Sequence, residues 1–105
     1  MDNLLKDFLI ESYENLGQMD QDFVALEQDP TSTQILSSIF RTLHTLKGSS
    51  GFFGFPRLER LAHAGENLLG LLRDGELQVT EEIVTVLLRV ADTSRDVLAR
   101  IEQTE

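Results

Sequence analysis

The chain has two histidines and no cysteine, which rules out a disulfide framework and a thiolate metal site. His44 opens the run His44-Thr45-Leu46-Lys47-Gly48-Ser49-Ser50-Gly51. A neutral imidazole is a nucleophile near neutral pH, because histidine's ordinary pKa is about 6.5. Lys47, one helical turn on, can hold an anion beside such a ring. Gly48 is the odd residue. Glycine inside a helix costs about 1 kcal/mol relative to alanine, yet the apolar pattern continues past it. With no side chain at 48, His44 stays uncovered and another molecule can approach its ring. The competing explanation is helix termination, which suits Gly51 better than Gly48. His63 and Glu66, three residues apart, share one helix face. With His44 they could form a metal site, as helix bundles do. The four glutamates and two Glu-x-x-His motifs of such sites are missing, so no metal is expected.

These groups need elements to position them. The two prolines, Pro30 and Pro56, both sit at breaks in the apolar pattern. Before Pro30, Leu5, Leu9, Ser12, Leu16, Met19, Phe23 and Leu26 repeat at alternating spacings of three and four, one helical stripe. Asp29 to Thr33 is a turn with helix-capping residues. A second stripe runs through Leu36, Ile39, Leu43, Leu46 and Ser50. Pro56 suits the first turn of a third helix, with the stripe Leu58, Leu61, Gly65, Leu68 and Leu72. Asp74-Gly75 ends it. Thr80-Glu81-Glu82 caps a fourth helix and favours its dipole. Its stripe is Ile83, Leu87, Val90, Ser94, Val97 and Ile101. The fold class is therefore all-α, an up-down antiparallel four-helix bundle. Its helices are expected over about residues 2–27, 33–51, 56–73 and 80–103.

At about 100° per residue, His44 falls on the shoulder of the second stripe and Glu66 on the same-signed shoulder of the third. Such shoulders either both line the groove between the two helices or both face away from it. Counted from the connecting loop, their heights differ by roughly 4–5 Å at 1.5 Å per residue. A hydrogen bond between them is therefore within reach.

Charge narrows the partners. Nine basic and 18 acidic residues give −9, which disfavours nucleic acid and anionic membrane surfaces. Residues 1–30 carry −7, whereas residues 41–60 carry +3 from Arg41, Lys47, Arg57 and Arg60 against Glu59. A basic island in an acidic chain suits a small anion or an acidic patch on a partner. No apolar run reaches 18 residues, and the N-terminus lacks a secretory pattern. A cytoplasmic setting is expected. The 105 residues argue for one domain, long enough to bury roughly two-thirds of its unfolded surface.

The segment Phe40-Arg41-Thr42-Leu43-His44-Thr45-Leu46-Lys47-Gly48-Ser49-Ser50-Gly51-Phe52-Phe53-Gly54-Phe55 resembles the phosphoacceptor segment of histidine phosphotransfer (Hpt) domains. The CheA-type domain of chemotaxis-like histidine kinases is the nearest pattern. Leu61 to Leu69 resembles that family's second motif. Arg73-Asp74-Gly75-Glu76-Leu77 followed by Thr80-Glu81-Glu82-Ile83 resembles its third-to-fourth helix junction. The resemblance covers essentially the whole chain, in order and with matching spacing. Three features depart from it: Gly65 stands where a larger apolar residue is expected, implying looser packing; Ser50 replaces the usual alanine; and the family's frequent further C-terminal helix is not in this sequence.

The resemblance implies a role for each residue. His44 would be the phosphoacceptor, and Glu66 would accept from its Nδ1 and leave Nε2 as the nucleophile. Lys47 would stabilise the phosphoryl group, His63 would join the polar network, and Gly48 would give the partner room. A carboxylate partner fixes the tautomer and steadies the positive charge that develops on attack. The chain has no glycine-rich nucleotide loop and no carboxylate cluster for magnesium. No cofactor is thus expected in this domain, and ATP and Mg2+ belong to the partner kinase and receiver domains. The chain alone is not a complete enzyme. It is expected to be one Hpt domain over 1–105, the N-terminal piece of a multidomain histidine kinase, and monomeric in isolation. His44 would take a phosphoryl group from the kinase's ATP-binding domain and pass it to an aspartate of a response regulator. Arg41, Arg57 and Arg60, with Lys47, are expected to face the receiver's acidic pocket. The alternatives are a relay domain loaded from a receiver aspartate and a non-catalytic adaptor that binds a receiver.

Overall fold

The computed structural model describes residues 3–104 and holds four helices: α1 (Asn3–Gln28), α2 (Thr33–Phe53), α3 (Pro56–Arg73) and α4 (Glu81–Thr104). The expected start of the first helix, at Asp2, lies outside the described residues. Each helix packs on its neighbours in sequence, and α1 closes the ring against α4. That cyclic order is the up-down bundle. The molecule measures 41 × 21 × 20 Å. A 26-residue helix spans about 39 Å, so α1 runs nearly the full length of the molecule.

Local chemistry sets the ends. Ser32 caps α2 by accepting from the Ile35 N–H at 3.2 Å, and Thr80 does the same for Ile83 at the start of α4. Pro56 opens α3. The second helix runs to Phe53, two residues beyond the expected end. Gly54 terminates it at φ 77°, while the Phe55 N–H returns to the Ser50 carbonyl at 2.9 Å. Gly51 is therefore not the terminator, and Gly48 lies well inside the helix.

The stripes expected for α1 and α2 are buried residue for residue, with Phe8 added. On α3 the buried face is rotated by about 50° toward Glu66. Leu58, Ala62, Gly65, Glu66, Leu69 and Leu72 are buried, while Leu61 and Leu68 are only partly covered. A similar difference appears on α4, where Ala91 and Leu98 are buried and Ile83 and Val97 half-covered. The apolar bands of both helices are wider than the core needs, so their sequence centre is not their packing centre. Gly65 does not loosen the packing. A Cβ there would lie 3.0 Å from Leu43 Cδ1 and 3.4 Å from Val90 Cγ1. The missing side chain lets α2 and α3 approach closely. Ser50 is fully buried and donates its hydroxyl to the Leu46 carbonyl.

Candidate functional site

His44 sits near the middle of α2 and Glu66 near the middle of α3. The tight approach at Gly65, one residue before Glu66, brings their shoulders into the shared groove. His44 Nδ1 lies 2.7 Å from Glu66 Oε2, and Lys47 Nζ donates to Glu66 Oε1 at 2.8 Å. One carboxylate thus receives two donors from successive turns of α2. Exposure is graded across the three: 64% for the His44 side chain, 26% for Lys47 and 9% for Glu66. Burial alone would push the Glu66 carboxyl up. The hydrogen bonds and charges of Lys47 and His44 outweigh it and hold the carboxyl below its ordinary value.

That ionised carboxylate decides the tautomer of His44. A carboxylate only accepts, so Nδ1 must carry the hydrogen. Nε2 of the neutral ring then keeps its lone pair, and among the described residues no group bonds to it. The ring lies parallel to Phe40, one turn back, with centroids 6.2 Å apart and planes at 8°. Arg73 stacks its guanidinium 4.5 Å from the centre of the Phe40 ring. Sequence reasoning passed over Phe40 and Arg73. The available signal was the i, i+4 spacing of Phe40 and His44. Gly48 is exposed, and nothing lies within 4 Å of where its Cβ would stand. The approach to His44 is open on that side.

The remaining candidates fall elsewhere. His63 is exposed and, among the described residues, makes no hydrogen bond to His44, Lys47 or Glu66. The expected polar network therefore holds three residues here, not four. Arg41 is exposed on α2, three residues before His44 and on its side of the helix. Arg57 and Arg60 are not with them. They line a groove between α3 and α4, about 180° and 120° around α3 from Glu66. Among the described residues no three His, Asp or Glu side chains gather as a metal site. A concavity of about 600 Å³ between the end of α1 and the start of α4 is lined by Leu26, Pro30, Val79 and Leu88 and includes none of these groups. The chemistry is on an open face, not in a pocket.

The Hpt domain profile matches residues 3–104. The chain belongs to the Hpt domain family. It is 40% identical over 104 residues to the sensor histidine kinase CheAY of Helicobacter pylori, covering 99% of this chain and 13% of that protein. It is 41% identical over 85 residues to the chemotaxis protein CheA of Listeria monocytogenes, covering 81% and 14%. This Hpt chain therefore spans about a seventh of these relatives. Among solved structures it resembles the CheA phosphotransferase domain of Thermotoga maritima, with TM-score 0.91, 28% identity and coverage of 96% and 98%. It also resembles the phosphorylated P1 domain of CheA3 from R. sphaeroides, solved in complex with CheY6, with TM-score 0.90, 31% identity and coverage of 99% and 81%. No helix of the described Hpt domain is long and apolar enough to cross a membrane.

Proposed function

We propose that this Hpt domain accepts a phosphoryl group on Nε2 of His44 and hands it to an aspartate of a response regulator. The observation that carries the reading is the exposed imidazole whose Nδ1 is held by a buried carboxylate while Nε2 is unengaged. In the forward step the Nε2 lone pair attacks the γ-phosphorus of ATP. The bond from phosphorus to the bridging oxygen breaks, and ADP leaves with that electron pair. The ring becomes positively charged, and Glu66 steadies it through the Nδ1–H. In the second step an aspartate oxygen attacks phosphorus, the P–N bond breaks, and the pair returns to Nε2. Lys47 spends one ammonium hydrogen on Glu66 and has two left for phosphoryl oxygens. Gly48 admits the partner. In-line geometry and magnesium come from the partners' sites, as phosphoryl transfer requires. The donor in this reading is the ATP-binding domain of a CheA-type kinase of which the chain is a part. The domain works in the cytoplasm and is monomeric when isolated.

The test is transfer from the ATP-binding core of a CheA-type kinase with magnesium ATP, read by intact mass and acid lability. One acid-labile phosphate is expected on the wild type and on His63→Gln, and none on His44→Gln. Label retained on His44→Gln overturns the assignment. Loading only from a phosphorylated receiver makes the domain a relay.

A further inference from the structure

Arg73 closes α3, two turns beyond Glu66 on the same face of the helix. The rise over those turns is about 10 Å. Helical side chains lean toward their own N-terminus, and α3 runs antiparallel to α2. Arg73 is therefore carried back toward the middle of the α2/α3 groove, where its guanidinium lies 4.5 Å from the centre of the Phe40 ring. Asp74 accepts from the Arg73 Nε at 3.4 Å. Phe40 is half-buried and packs against the core. Its Cε2 stands 3.8 Å from where a Cβ of Gly70 would be, so α3 supports the edge of the ring. The ring plane lies within 8° of the His44 imidazole, with centroids 6.2 Å apart. Asp74, Arg73, Phe40 and His44 thus form a continuous row. It begins at the junction after α3 and ends on the exposed imidazole.

We propose that Phe40, steadied by Arg73, is a positioning residue for the phosphoacceptor: it fixes the plane of the His44 imidazole and with it the direction of the Nε2 lone pair. This rests on the reading of His44 Nε2 as the nucleophile. The Glu66 hydrogen bond holds one atom of the ring, at Nδ1. It leaves the ring able to rock about that atom, and the side chain is mostly in solvent. The Nε2 lone pair lies in the ring plane, so rocking swings it off the line of attack. A misplacement of about 1 Å can cost a reaction two orders of magnitude. A parallel aromatic face one turn away resists that motion. Direct electrostatic help is the lesser effect. Cation–π attraction reaches about 6 Å from a ring centroid, His44 stands at that limit, and Arg73 already draws on the same ring. Two neighbours therefore divide the work: Glu66 selects the tautomer and Phe40 the plane. The Arg73-Asp74 junction gains a task at a site two turns away.

The test compares Phe40→Leu, Phe40→Tyr and Arg73→Ala with the wild type, each with its fold checked by circular dichroism. Phosphorylation by the ATP-binding core of a CheA-type kinase with magnesium ATP is followed over a range of chain concentrations. Phe40→Leu should lower the maximal rate about tenfold and leave KM unchanged, the pattern of a lost transition-state contribution. Phe40→Tyr keeps the aromatic face and should stay within about twofold of the wild type. Arg73→Ala removes nothing from the core and should slow the reaction about threefold. Carbon-13 relaxation of the His44 ring should give a lower order parameter in Phe40→Leu and Arg73→Ala but not in Phe40→Tyr. The tautomer ratio should hold in all three. Four results each overturn the proposal: an unchanged rate and ring order in Phe40→Leu, a loss confined to KM, a shifted tautomer ratio, or Phe40→Tyr as slow as Phe40→Leu. Should Phe40→Leu not fold, Arg73→Ala decides, and an unchanged rate and ring order there overturn it. A wild type that takes no acid-labile phosphate on His44 fails the phosphoacceptor reading and this one with it, whereas the four results above fail this one alone.

Discussion

Glu66 receives both His44 and Lys47, and replacing it by glutamine should separate catalysis from folding. Glutamine keeps the volume but removes the charge that fixes Nδ1–H and steadies the developing imidazolium. We expect Glu66→Gln to slow phosphorylation of His44 about tenfold, equivalent to ~1.4 kcal/mol. It should also raise the share of the tautomer protonated at Nε2, read by 15N NMR of the imidazole. An unchanged rate and tautomer ratio would contradict the positioning role. The expected stability cost is about 1–2 kcal/mol, because hydrogen bonds to a charged group are lost and the Lys47 partner is partly solvated. His44 and Lys47 were both legible as residues, because an interior glycine beside a histidine is a local irregularity. Phe40 and Arg73 were not, because their stacking depends on the α2/α3 approach.

Gly48 and Gly65 make a contrast at the level of the elements. Both sit inside helices, yet one faces open space and the other a side chain 3.0 Å away. Gly48→Ala should therefore stabilise the bundle by about 0.5–1 kcal/mol through helix propensity while slowing transfer to a receiver. Gly65→Leu should destabilise it by about 3 kcal/mol, because Leu43 and Val90 have nowhere to go. Chemical denaturation of the two variants checks the opposite signs, and a stabilised Gly65→Leu would refute the packing account. The helices themselves were legible from stripes, caps and prolines to within two residues at each end within the described span. The rotation of α3 was not. Its apolar residues cover more than half its circumference, and only contact with α2 selects which of them are buried.

For the whole molecule, acid should act first through the α2/α3 groove. Glu66 is held below its ordinary value of 4.5. Its contribution to stability is therefore full above that value and is lost as the pH falls through its lowered folded value. Thermal melts from neutral pH downward should show the wild type losing its advantage over Glu66→Gln in this acid range, and the two curves converging below it. Curves that stay parallel would mean that Glu66 is not the group responsible. The all-α class and the cyclic helix order followed from spacing along the chain, whereas His44, Lys47 and Glu66 as a set were what the family resemblance implied. Periodicity and turn chemistry are local, and short connections force neighbours to pack antiparallel. Which groove each shoulder enters was open in the sequence, because the hand of the bundle is not written in it. Tertiary structure chose the rotation that brings α2 onto Gly65. That one contact buries Glu66 beneath His44 and Lys47, leaves His63 outside, and turns Arg57 and Arg60 to the opposite side of α3.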